Sequence, residues 1–137
     1  MRGYLDPRMA KILVVDDDLD MTLTLGEILR QDGHQVRSAN SGEDGLLTLN
    51  AGPLPDVVVL DVDMPPGMSG PAMAHQMLMH DAGQERIPVI LMSGNSELPE
   101  IAARMGTPYF LFKPGSLTAF LDLLDRARSE LVAPASA

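Results

Sequence analysis

Residues 57–70 read VVVLDVDMPPGMSG, and the fold follows from how this stretch begins. Residues 57–60 are continuously apolar, which suits a strand of a parallel sheet covered by helices on both faces. Asp61 stands immediately beyond that strand, followed by Val62 and Asp63. Working outward, residues 12–15 (ILVV) and 89–92 (VILM) are apolar in the same way. Residues 34–38 alternate and are more polar, as a more exposed strand would be, and residues 109–112 (YFLF) supply a fifth run.

Helical patterns separate these runs, over residues 20–31, 42–49, 69–80, 97–105 and 117–131. In the first, Leu23, Ile28 and Leu29 are expected near one face, with Gly33 as the stop. Ser41 is placed to cap the second, with Glu43 and Asp44 favourable in its first turn. Pro53 and Pro55 break the chain before the third strand. Met73 and Met77 mark one side of the third helix, which residues 81–83 end. Leu117, Phe120, Leu121, Leu124 and Ala127 repeat with helical period in the last. These stripes read as core. Strand–helix alternation throughout predicts an α/β fold with an open parallel sheet and right-handed crossovers. Among doubly wound arrangements, a flavodoxin-like five-stranded sheet in the order 2-1-3-4-5 is the one expected.

The chain has 137 residues, enough for one domain with its own core. It has no cysteine, so disulfides and thiolate metal sites are excluded. No stretch approaches the roughly 20 apolar residues of a membrane span, and residues 1–12 lack the apolar segment of a secretory signal. A cytoplasmic location without membrane insertion is therefore expected. A formal net charge of −9 argues against direct nucleic-acid binding by this chain. Residues 1–9 read as an N-terminal extension, with Met9 as an alternative start, residues 10–131 as the domain, and residues 132–137 as a frayed tail.

In doubly wound sheets the ligand site lies beyond the carboxyl ends of the strands. There the sequence places Asp16, Asp17 and Asp18 after the first strand, Asp61 and Asp63 after the third, Ser93 and Gly94 after the fourth, and Lys113 and Pro114 after the fifth. Clustered carboxylates repel one another and invite a hard divalent cation. Mg²⁺ takes one or two carboxylates and fills its octahedron with waters and phosphate oxygens. A free oxygen of Asp61 would then attack phosphorus to form an aspartyl phosphate. Such transfer depends on alignment and charge neutralisation, by the metal, the Lys113 ammonium and the Ser93 hydroxyl.

With KILVVDDD (11–18), VVVLDVDMPPGMSG (57–70), PVILMSG (88–94) and YFLFKP (109–114) in order, the chain resembles the receiver domain of bacterial two-component response regulators over residues 10–131. The resemblance implies that Asp61 is the phosphoacceptor and Asp17 a metal ligand, that Asp16 orients the metal through water, and that the Asp63 backbone carbonyl completes the protein ligands. It places Ser93 where the family has Thr or Ser, Lys113 where it has its lysine, and Phe110 where it has a switching aromatic. A cis Lys113–Pro114 bond is implied as well. The donor would be a sensor histidine kinase or histidine phosphotransferase and the receiver of the signal a downstream protein, with a phosphorylation-dependent dimer left open. A single receiver unit without an output domain is expected, or equally one cut from a longer hybrid kinase or regulator, acting as a phosphoacceptor that catalyses its own transfer and autodephosphorylation rather than as a turnover enzyme. The 64–70 loop looks one residue longer than usual, Gly115 stands where Phe is frequent, and Asp63 and Asn95 hold positions that tune phosphate lifetime in the family.

Other readings compete. Asp16, Asp18, Asp20 and Glu27 match a calcium-loop spacing, but Met21 takes the glycine position and a strand precedes the loop, so that reading fails. Asp61-Val62-Asp63 resembles the nucleophile motif of haloacid-dehalogenase-like phosphatases, although Pro65 replaces the expected Thr or Val. A constitutive binding module on the same fold is the nonenzymatic alternative. His34, His75 and His80 have no ligand spacing, and no Walker A or dinucleotide motif is present.

Overall fold

The computed structural model describes residues 9–65, 67–80, 83–113 and 115–134. The expected extension up to residue 8, the 81–82 part of the third helix's stop, the Lys113–Pro114 bond and residues 135–137 lie outside the described residues. Five strands, β1 (Lys11–Val15), β2 (Gln35–Ala39), β3 (Val57–Asp61), β4 (Val89–Ser93) and β5 (Phe110–Phe112), form one parallel sheet in the order β2-β1-β3-β4-β5. The predicted strand order is the observed one. The helices between them are α1 (Leu19–Gln31), α2 (Gly42–Asn50), α3 (Gly70–Met79), α4 (Leu98–Met105) and α5 (Leu117–Glu130), with a short 3-10 turn at Gln84–Arg86 that the sequence pattern did not announce.

Side chains alternate across the strands, so each apolar run feeds two cores. Leu13, Val15, Val58, Leu60, Val89 and Leu91 pack with Leu49 of α2, Met73 and Met77 of α3, and Leu98 and Ala102 of α4. Ile12, Val14, Val57, Val59, Ile90 and Met92 meet Leu25 and Leu29 of α1 and Phe120, Leu124 and Ala127 of α5 on the opposite face. The central strands β3 and β4 are buried along their whole length, whereas β2 lies at the edge and is largely accessible, as its polar alternation implies. Among the described residues, no helix is long and apolar enough to cross a membrane.

Four helices begin at a side-chain cap. Asp18, Ser41, Ser69 and Ser116 each accept from the backbone N–H three residues on, which satisfies a donor that the first turn leaves free. Two helix faces differ from expectation. On α1 the core face is Thr22, Leu25, Gly26 and Leu29, while Leu23 is 58% exposed. On α5 Leu117 is 46% exposed, and Leu123 joins the core instead. Both helices carry more leucines than one stripe can hold, and packing against the sheet selects among them.

Candidate functional site

The site is assembled at the carboxyl edge of the sheet, from residues that end strands or follow them. Asp61 closes β3 and Ser93 closes β4; Asp16 and Asp17 follow β1, and Lys113 follows β5. Parallel pairing sets their heights, with Val15 level with Leu60, Asp61 with Met92, and Ser93 with Phe112. The Lys113 N–H donates to the Ser93 carbonyl at 2.9 Å, which fixes where the lysine leaves the sheet.

Asp16, Asp17 and Asp61 each bring one carboxylate oxygen to within 4.8 Å of the others. Asp16 and Asp61 are buried and Asp17 is exposed, so the cluster has an open side. Lys113 is the cation among them. Its Nζ lies 2.6 Å from Asp16 Oδ2 and 3.5 Å from Asp61 Oδ1. The stronger contact is thus with Asp16, a pairing across 97 residues that no local pattern reveals. Asp16 Oδ1 also accepts from the Asp18 N–H at 3.0 Å. Asp18 in turn caps α1 through the Met21 N–H, so the acidic run serves both the helix start and the cluster.

One ammonium does not neutralise three carboxylates. Burial, and next the Asp16 charge, push the Asp61 carboxyl up to about 6 from the usual 3.8, against the opposing pull of Lys113 and with a smaller push from Asp17. Burial also works against the charged form of Lys113, but its hydrogen bond and attraction to Asp16, joined by Asp61, keep its pKa above the usual value. A group of hard oxygen donors with unneutralised charge is the donor set that Mg²⁺ or a similar cation accepts.

Ser93 is 2% exposed, and its Oγ accepts from the Asn95 N–H at 3.0 Å. Phe110 is half-buried against the core that contains Leu91, Leu98 and Ala102. Asp63 is exposed in the loop after β3 and is outside the carboxylate cluster. The structure therefore brings together Asp16, Asp17, Asp61 and Lys113, with Ser93 on the adjoining strand end.

Two residues matter more than their sequence context suggests. A Cβ on Gly70 would collide with the Asp61 carbonyl oxygen and stand 3.1 Å from Val62 Cα, so glycine lets α3 start directly against the site strand. Its N–H donates to the Val62 carbonyl at 2.9 Å. Glu43, read from sequence only as a favourable first-turn acid, accepts from the Met68 N–H at 2.9 Å and so reaches the loop after β3. No signal in the sequence links positions 25 residues apart in this way.

Residues 12–125 match the family model of the response regulator receiver domain. The chain is 37% identical over 108 residues to protein PilH of Pseudomonas aeruginosa, covering 77% of this chain and 87% of PilH. It is 32% identical over 108 residues to the transcriptional regulatory protein AfsQ1 of Streptomyces coelicolor, covering 77% of this chain but only 45% of that longer one. Among solved structures, the chemotaxis protein CheY4 of Vibrio cholerae superposes with a TM-score of 0.77 at 26% identity, over 86% of this chain and 98% of CheY4.

Proposed function

Because this chain belongs to the response regulator receiver domain family of two-component systems, we propose that Asp61 takes a phosphoryl group from a phosphohistidine and that the chain then changes its affinity for protein partners. The observation that carries this reading is the cluster of Asp16, Asp17 and Asp61 around a single Lys113 at the carboxyl ends of the strands. Its under-neutralised charge, visible in the raised Asp61 carboxyl, fits Mg²⁺. Asp17 and Asp61 would hold the ion, with Asp16 orienting it through water and the Asp63 backbone carbonyl completing the set. When bound, Mg²⁺ supplies neutralisation of a phosphate oxygen.

The remaining chemistry belongs to the chain's own residues. The free Asp61 oxygen attacks phosphorus, and the new P–O bond forms as the P–N bond to the donor imidazole breaks. Lys113, already within reach of Asp61, shifts its ammonium from Asp16 toward a second phosphate oxygen. Ser93 uses its oxygen to accept from Asn95, which leaves its hydroxyl proton to donate to the third. Drawing Ser93 inward would free space for Phe110 to turn into the core and alter the α4–β5–α5 surface. This is a population shift, driven because the phosphoryl group binds one state better.

The phosphodonor would be a sensor histidine kinase or histidine phosphotransferase, and the output a downstream protein or a phosphorylation-dependent dimer. Hydrolysis of the aspartyl phosphate would also be self-catalysed at this site. The net charge of −9 opposes direct contact with nucleic acid by this chain. The test is incubation with phosphoramidate, a small P–N donor, and Mg²⁺, followed by borohydride reduction and peptide mapping. Reduction confined to Asp61 is expected. Reduction at Asp16, Asp17 or Asp63 instead would overturn the assignment.

A further inference from the structure

Residues 62–69 join the site strand to α3 and include Asp63, whose carbonyl is assigned to the metal above. This loop is held at three points. Gly70 N–H donates to the Val62 carbonyl at 2.9 Å and closes its base, and Gly67 N–H donates to the Met64 carbonyl at 3.1 Å and makes a turn within it. The third point is a long-range one. Glu43 Oε1, in the first turn of α2, accepts from the Met68 N–H at 2.9 Å. The fit around that contact is close. A Cβ on Gly67 would stand 2.7 Å from Glu43 Oε1, and a Cβ on Gly42 would stand 2.9 Å from the Met68 carbonyl oxygen. Two glycines thus let the loop and the helix start approach until the carboxylate reaches the amide.

We propose that Glu43 is a positioning residue for the metal site, a latch that fixes the loop carrying the Asp63 carbonyl beside Asp61. The inference rests on the function proposed above. Glu43 lies outside the carboxylate cluster and is exposed, so its contribution is one hydrogen bond that orders a loop before the ion arrives. Its carboxyl is held below the usual range chiefly by the Met68 N–H, so the acceptor is a carboxylate throughout the neutral range. The contact asks only for an acceptor oxygen, which a glutamine amide also has. That separates a latch from a charge acting at a distance.

The experiment is Mg²⁺ titration of the full chain, wild type beside Glu43→Ala, Glu43→Gln and Gly67→Ala, with exchange of the Met68 amide followed in each. Glu43→Ala is expected to weaken Mg²⁺ binding by about three- to tenfold, the span of one net hydrogen bond, and to speed Met68 exchange. Glu43→Gln should restore most of both, and Gly67→Ala, whose methyl displaces the carboxylate, should resemble Glu43→Ala. Equal weakening by Ala and Gln would assign the effect to charge and overturn the latch. So would faster Met68 exchange with unchanged Mg²⁺ affinity, since the contact would then be structural only. A wild-type chain that binds no Mg²⁺ would overturn the metal assignment itself, and the latch with it.

Discussion

Asp61 occupies a costly position for a carboxylate, and that cost is measurable without any phosphodonor. Its pKa is about 6 in the folded chain against 3.8 ordinarily, so the folded state holds the proton more tightly than the unfolded one. The group's favourable share of stability is therefore complete below pH 3.8 and lost as pH rises through about 6. At pH 7.5 without metal, Asp61→Asn should stabilise the chain by about 1–3 kcal/mol, raising Tm by several degrees. The gain should vanish by pH 4; thermal melts at both values decide it, and an equal or lower Tm at pH 7.5 would contradict the geometry. Lys113→Ala leaves the buried Asp16 without its 2.6 Å partner, and a loss of about 2 kcal/mol is expected in urea unfolding. An unchanged midpoint would show that the pair contributes nothing. That Asp61, Ser93 and Lys113 stand at one edge of the sheet was legible in the sequence, because strand ends in a doubly wound sheet must face one crevice. Which acid Lys113 prefers was not, because that depends on the relative position of strands far apart in the chain.

At the scale of elements, the strands were readable because a parallel sheet covered on both faces leaves no polar position inside β1, β3 or β4. Helix faces were less so. In α1, Leu19, Leu23, Leu25 and Leu29 spread around the axis, and only the sheet's position decides that Leu25 and Leu29 are buried while Leu19 and Leu23 are exposed. The junction between β3 and α3 is the tightest near the site, because Gly70 abuts the Asp61 carbonyl with no room for a methyl group. Gly70→Ala should cost about 2 kcal/mol or more, through a shift of backbone rather than of a flexible side chain. Gly94, also at the site edge, has nothing within 4 Å of an added Cβ and lacks a positive φ, so Gly94→Ala should stay within about 0.5 kcal/mol of wild type. Denaturant midpoints of the two variants test the packing directly, and equal effects would refute it.

Across the whole molecule, two cores fix five strands in register, and the register sets the height of each functional group above the sheet. Metal binding should therefore report on global stability. Mg²⁺ at about 100 times its dissociation constant should add about 2.7 kcal/mol. The increment should shrink as pH falls through about 6, where the proton on Asp61 competes with the ion. A Tm increment independent of pH between 5 and 7.5 would place the ion elsewhere. Whether Asp61 is the phosphoacceptor is decided by intact-mass spectrometry after incubation with acetyl phosphate, with and without Mg²⁺, on wild type and Asp61→Asn. A single phosphoryl adduct that requires both Mg²⁺ and Asp61 is the predicted result. An adduct of equal yield in Asp61→Asn would contradict it.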